Sequence, residues 1–200
     1  MVSTVRYRMV MAQERRRLTR EDWIAAALTA IADGGLGAVA VEPLAARLGT
    51  TKGSFYWHFA NREALIDAAL STWEEEHTTA VLAEVAAAPE DPVARLELLI
   101  RRVVQAAERD RIGLALLADA AHSSVGPVLT RVTRARLDGI AGIFRDLGFT
   151  PALARSRALL AYSAYLGHSQ IAHSTPELLP AGRAARRAYL NDIIRVLTTR

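Results

Sequence analysis

Residues 44–59, LAARLGTTKGSFYWHF, constrain the chain more than any other stretch. A short apolar-periodic helix, a glycine and a second short helix follow with no spare residues, the pattern of two helices joined by a tight turn. Phe55 and Phe59, four apart, share one face of the second helix and are set to pack inward. Its other faces carry Thr51, Lys52, Ser54, Tyr56 and His58. Hydroxyls, a cation and aromatics make poor core material and suit contact with nucleic acid.

The rest of the sequence reads as helix. Alanine and leucine dominate an apolar fraction of 51%, against 23% charged residues, which describes a globular chain with strong helix formers in its core. Nowhere do apolar residues alternate as in a strand. Thr19 is placed to cap a first helix, with Asp22 reaching back as a capping box, and Ile24, Ala27, Leu28 and Ile31 form its apolar stripe. Gly34 and Gly35 end it. The second helix is expected at about 40–48, with Glu42 and Pro43 in its first turn, and the third at 52–59 after a Thr50 or Thr51 cap. Asn61 opens a fourth helix that meets no strong breaker before Pro89, a rod of ~35–40 Å at about 1.5 Å per residue.

Five more helices follow, at about 93–108, 112–122, 128–147, 151–173 and 181–197, about nine in all. Residues 123–127 are expected as a turn, and Arg131, Arg134 and Arg136 as solvent-facing. The helix at 151–173 is apolar on most of its circumference and must be covered on both sides. The last helix shows one stripe through Leu190, Ile193, Ile194 and Leu197.

Charge is unevenly placed. Residues 1–20 hold six arginines against Glu14, a local +5, so the remainder carries −1 of a formal total of +4. That points to a polyanionic partner near the N-terminus. Residues 1–17 read as a basic, flexible arm. No cysteine is present, which excludes disulfides and thiolate metal sites and fits a cytoplasmic setting. No apolar run approaches the ~20 residues of a membrane span, and no secretory signal is evident. No metal and no cofactor are expected.

Residues 35–59, GLGAVAVEPLAARLGTTKGSFYWHF, followed by Asn61-Arg62-Glu63-Ala64-Leu65, resemble the DNA-binding domain of the TetR family of transcriptional repressors. The likeness covers about residues 18–70, and TKGSFYWHF is its most specific part. It implies an all-α homodimer on a palindromic double-stranded DNA operator, with a helix-turn-helix domain at 18–64. A domain at 65–200 would then bind a small-molecule effector and dimerise. The DNA-contacting set it implies is Thr50, Thr51, Lys52, Gly53, Ser54, Tyr56, Trp57, His58 and Arg62. Lys52 suits a guanine edge or a phosphate, Tyr56 and His58 suit phosphates, and Trp57 suits a thymine methyl or local packing. Two positions depart from the family pattern. Ala40 stands where many relatives cap the second helix with Ser or Thr. Glu42 stands where some use a base, and either serves the helix dipole or accepts from a cytosine amine.

Trp73, His77, His122, Tyr162, Tyr165 and His168 are the polar-aromatic residues selected for an apolar effector cavity. Leu160, Ala164, Gly167, Leu190, Ile194 and Leu197 are the candidates for the dimer interface. Two other readings compete: a DNA-binding dimer without an effector, and a helical metal enzyme using Glu74 with His77 and Asp119 with His122.

Overall fold

The computed structural model describes residues 18–88 and 91–199; the basic arm at 1–17 lies outside them. Among the described residues all regular structure is helical. Thr19 and Asp22 form the expected capping box on α1 (Arg20–Gly34). Gly35, at φ 68°, turns the chain out of α1 into a 3-10 turn (Leu36–Ala38). A side chain at Gly35 would also strike Asp119, whose carboxylate accepts from the Leu36 amide at 2.7 Å. Then come α2 (Val41–Arg47) and α3 (Lys52–Tyr56), separated by Gly49 at φ 65°, a left-handed conformation that glycine adopts without penalty.

Asn61 caps α4 (Arg62–Glu74), which continues through a π turn (Glu75–Thr79) into α5 (Ala80–Ala86). Counted as one rod, these bring the described helices to nine. The π turn was not foreseen, and it has a local cause. Arg136 donates to the His77 carbonyl at 3.1 Å and to Thr78 Oγ1 at 3.0 Å, supplying a partner for a widened turn. Arg136 is therefore not solvent-facing, unlike exposed Arg131 and Arg134.

The remaining helices are α6 (Pro92–Ala107), α7 (Ile112–Ala118), α8 (Val125–Asp146), α9 (Pro151–Ser174) and α10 (Gly182–Thr198). Three boundaries differ from expectation. The third helix stops at Tyr56, leaving Trp57 and His58 in a closing turn. The sixth rod, α7, ends at Ala118, because Asp119 is drawn to Leu36. The expected turn at 123–127 is largely the start of α8; Pro127 sits in the first turn, where its missing N–H is no loss.

Two apolar cores result. One joins Trp23, Ile31, Leu44 and Phe55 to Leu65, Ile66 and Trp73 of α4, and runs on to Leu116, Val125 and Val132. The other gathers Leu96, Leu99, Ile100, Ile140, Phe144, Ala158, Tyr162 and Leu197. Within one chain α9 is covered on one side only: Ala154, Ala158 and Tyr162 are buried, while Leu159 and Leu160 are 57% and 47% exposed. No helix among the described residues is long and apolar enough to cross a membrane.

Candidate nucleic-acid interface and ligand cavity

The aromatic sequence of α3 divides its residues by face. Phe55 is wholly buried, its ring edge-on to Trp23 at 5.3 Å and stacked with Phe59 at 5.7 Å. The Arg20 guanidinium covers Phe59 from outside at 4.9 Å. These anchors fix α3 on α1 and turn the intervening residues outward. Tyr56 is 55% and Trp57 86% exposed, a large apolar outlay on the surface for so small a helix. Thr51, Lys52 and Gly53 are exposed; Thr50, Ser54 and His58 are half-buried beside them. Thr51 takes the cap position, yet its side chain makes no capping bond. The expected set therefore lies exposed or half-buried on and next to α3, with one exception.

That exception is Arg62. Its Nε donates to the Val39 carbonyl at 2.6 Å and its Nη2 to the Leu36 carbonyl at 2.7 Å, with Glu63 beside Nη1 at 3.6 Å. The guanidinium fork is spent on the backbone that leads into α2, so Arg62 positions the helix-turn-helix from behind. Ala40, as expected, caps α2 without a side-chain bond. Glu42 does something neither sequence reading offered: its carboxylate holds the Lys52 ammonium at 2.9 Å. That hydrogen bond, and then the opposite charge, keep Lys52 above its usual pKa and Glu42 below its own. Both groups are exposed, so the pair itself is a weak, solvent-screened contact.

In the second core lies a cavity of about 180 Å³. Leu96, Leu99, Ile100 and Val103 of α6 and Ile140 of α8 give it apolar walls, closed by Tyr162, Tyr165 and His168 of α9. His77 stands at its edge, its ring 6.3 Å from Trp73 and its Nδ1 3.4 Å from the Asp110 carboxylate. Two expected residues lie elsewhere. Trp73 is packed beneath the Arg136 guanidinium at 5.5 Å and does not line this cavity. His122 is exposed, and its Nδ1 accepts from the Ser124 amide. Burial, partly offset by Arg136, pushes the Tyr165 hydroxyl above its usual pKa; burial also pushes the His168 ring down.

The sequence reading missed Arg136, Thr78 and Tyr189, which also line the cavity. Arg136 had a signal: Val132, Arg136 and Ile140 recur every four residues, which puts the arginine on the buried face of α8. Of the six interface candidates, Leu160, Ala164 and Gly167 are exposed, and Leu190 and Ile194 are half-buried. Leu197 is corrected: it is 4% exposed and lines the cavity, held by its own chain.

The carboxylate–histidine pairs are each engaged apart. Glu74 binds Arg131 with an Nε–Oε1 distance of 2.8 Å, His77 faces Asp110, and Asp119 accepts from Leu36. Among the described residues no three His, Cys, Asp or Glu side chains are grouped as a metal site.

Comparison with known proteins follows this division. Residues 24–69 match the family model "Bacterial regulatory proteins, tetR family". The tetracycline repressor protein class C of Escherichia coli is 39% identical over 66 residues, 32% of this chain and 30% of that protein. The match thus spans about 30% of that relative's length. A TetR transcriptional regulator from Legionella pneumophila has the same fold, with TM-score 0.73, 16% identity and coverage of 90% of this chain and 97% of that one. The regulator FadR from Bacillus subtilis, solved in complex with stearoyl-CoA, aligns with TM-score 0.67 and 14% identity over 90% and 98% of the two chains. Residues 24–69 thus resemble the tetR family of bacterial regulatory proteins, set in an all-helical fold shared with those regulators.

Proposed function

We propose that the chain is a transcriptional repressor that binds a palindromic operator as a homodimer and is released by a small, largely apolar effector. The observation that carries the DNA reading is the outward aromatic surface of α3, Tyr56 and Trp57, held rigid over the buried pair Phe55 and Phe59. Rigid mounting matters because a recognition helix must present its side chains to base edges in register. Thr50, Thr51, Ser54 and His58 surround that surface as phosphate ligands, and Lys52 exchanges Glu42 for DNA. Gly53 lets the backbone approach closely.

One α3 covers too little DNA for specific control, so two are needed, a helical turn apart. The uncovered face of α9, with Leu160, Ala164 and Gly167, supports two-fold pairing against a second copy, α10 joining it. The 180 Å³ cavity is the effector site in this reading. FadR of Bacillus subtilis is seen with stearoyl-CoA, which makes thioesters one class to consider for this cavity. An effector that prefers a dimer with α3 wrongly spaced lowers operator affinity by population shift.

Binding of the full chain, at fixed salt, to a palindrome sought in the promoter region of its own gene tests the reading. Two half-sites are expected to bind far more tightly than one. Lys52→Ala is expected to weaken the specific site by roughly 10-fold while leaving the melting temperature in place. Equal affinity of the native chain for the palindrome and for unrelated duplex would sink the proposal.

A further inference from the structure

A groove of about 570 Å³ adjoins the cavity and shares His168, Tyr189 and Val104 with it. Its chemistry is the opposite of the cavity's. Arg101, Arg183, Arg186 and Arg187 line it against a single carboxylate, Glu108. Arg186 is paired with Glu108 at 3.1 Å, and Arg101 with Glu97 at 2.9 Å. Arg183 and Arg187, one turn apart on α10, have no carboxylate within ion-pair distance among the described residues. They stand on the first two turns of α10, whose cap residue, Ala181, supplies no side-chain bond to the helix amides. Free guanidinium forks beside a positive helix end favour a multiply charged anion.

The shared wall supplies a separate observation. His168 is only 6% exposed; its Nδ1 meets the Tyr189 hydroxyl at 3.3 Å, while Nε2 is buried with no partner in the protein. An orphaned buried ring nitrogen carries an unrecovered desolvation cost. A ligand carbonyl or hydroxyl arriving at the junction would remove that cost. Burial also pushes the ring's pKa down, and a polar, uncharged group suits this position between the two compartments.

We propose that cavity and groove form one bipartite site for an anionic amphiphile. Its apolar body lies among Leu99, Ile100 and Ile140, a carbonyl meets His168, and a phosphorylated head lies over Arg183 and Arg187. The inference rests on the cavity being the effector site. A free carboxylic acid and an acyl thioester on a phosphorylated nucleotide carrier share an apolar body and an anionic end; the number of charges the groove can meet favours the second.

Four probes separate these cases by calorimetric titration of the full chain: methyl octanoate, octanoate, octanoyl-CoA and CoA alone. The ester is expected to bind, which tests the cavity by itself. Octanoyl-CoA is expected to bind at least ~10-fold more tightly than either octanoate or the ester, an advantage that shrinks as salt rises. CoA alone is expected to bind least tightly. The double variant R183Q/R187Q is expected to erase the thioester's advantage and leave ester binding unchanged. Equal affinity for octanoyl-CoA and the ester in the native chain overturns the head-group assignment while the cavity stands. Octanoate matching octanoyl-CoA overturns it in favour of a single carboxylate. If none of the four binds, the effector-site reading falls with it.

Discussion

Phe55→Ala is expected to cost about 3–5 kcal/mol and to abolish operator binding, because it empties the centre of the aromatic cluster that mounts α3. The ring is wholly buried and meets Trp23, Tyr56 and Phe59 within 5.7 Å. α3 itself is five residues long, too short to hold helical form alone, so its geometry is borrowed from this packing. Urea unfolding followed by Trp fluorescence measures the loss, and a mobility shift assay reads the lost binding. Phe55→Leu, which keeps most of the volume, is expected to lose less than about 2 kcal/mol and to retain partial binding. A Phe55→Ala protein that kept native operator affinity would show that α3 does not depend on this cluster.

Arg62→Ala is the second large effect, and it distinguishes a supporting residue from a DNA ligand. Two charged donors on buried carbonyls contribute about 2–4 kcal/mol together, so the melting temperature is expected to fall measurably even without DNA. Arg62→Lys keeps the charge but cannot span Val39 and Leu36 together, and is expected to recover less than half of the loss. A phosphate ligand behaves otherwise: its removal leaves stability unchanged and lowers the salt dependence of binding by about one ion. Unaltered stability with a reduced salt slope would return Arg62 to the DNA surface.

The two substitutions mark where sequence patterns were sufficient and where they were not. Phe55 and Phe59 were legible because a four-residue spacing on a short helix leaves one inward face. The capping box at Thr19 was legible for the same local reason, since both partners lie within one turn. Arg62 was not: its partners, Leu36 and Val39, are more than twenty residues away, and a family motif names the residue without its direction. The π turn and the cavity-lining Arg136 escaped together, because the cause of one is the position of the other. Leu197 followed a correct stripe on α10 but lies against its own chain, a choice that periodicity does not make. Trp73 and His122 were selected for ring chemistry, and only the packing separates a core tryptophan and a surface histidine from a cavity wall.

The hydrogen bond from the Leu36 amide to Asp119 bridges 83 positions of sequence. During synthesis the whole of α1 to α5 is made before the residue that holds the turn ahead of α2. The segment that aims the recognition helix thus gains its acceptor only once α7 has been made, from the residue that follows that helix. Transplanting residues 18–88 onto a foreign body would leave that amide without its acceptor, whatever the fidelity of the recognition surface itself.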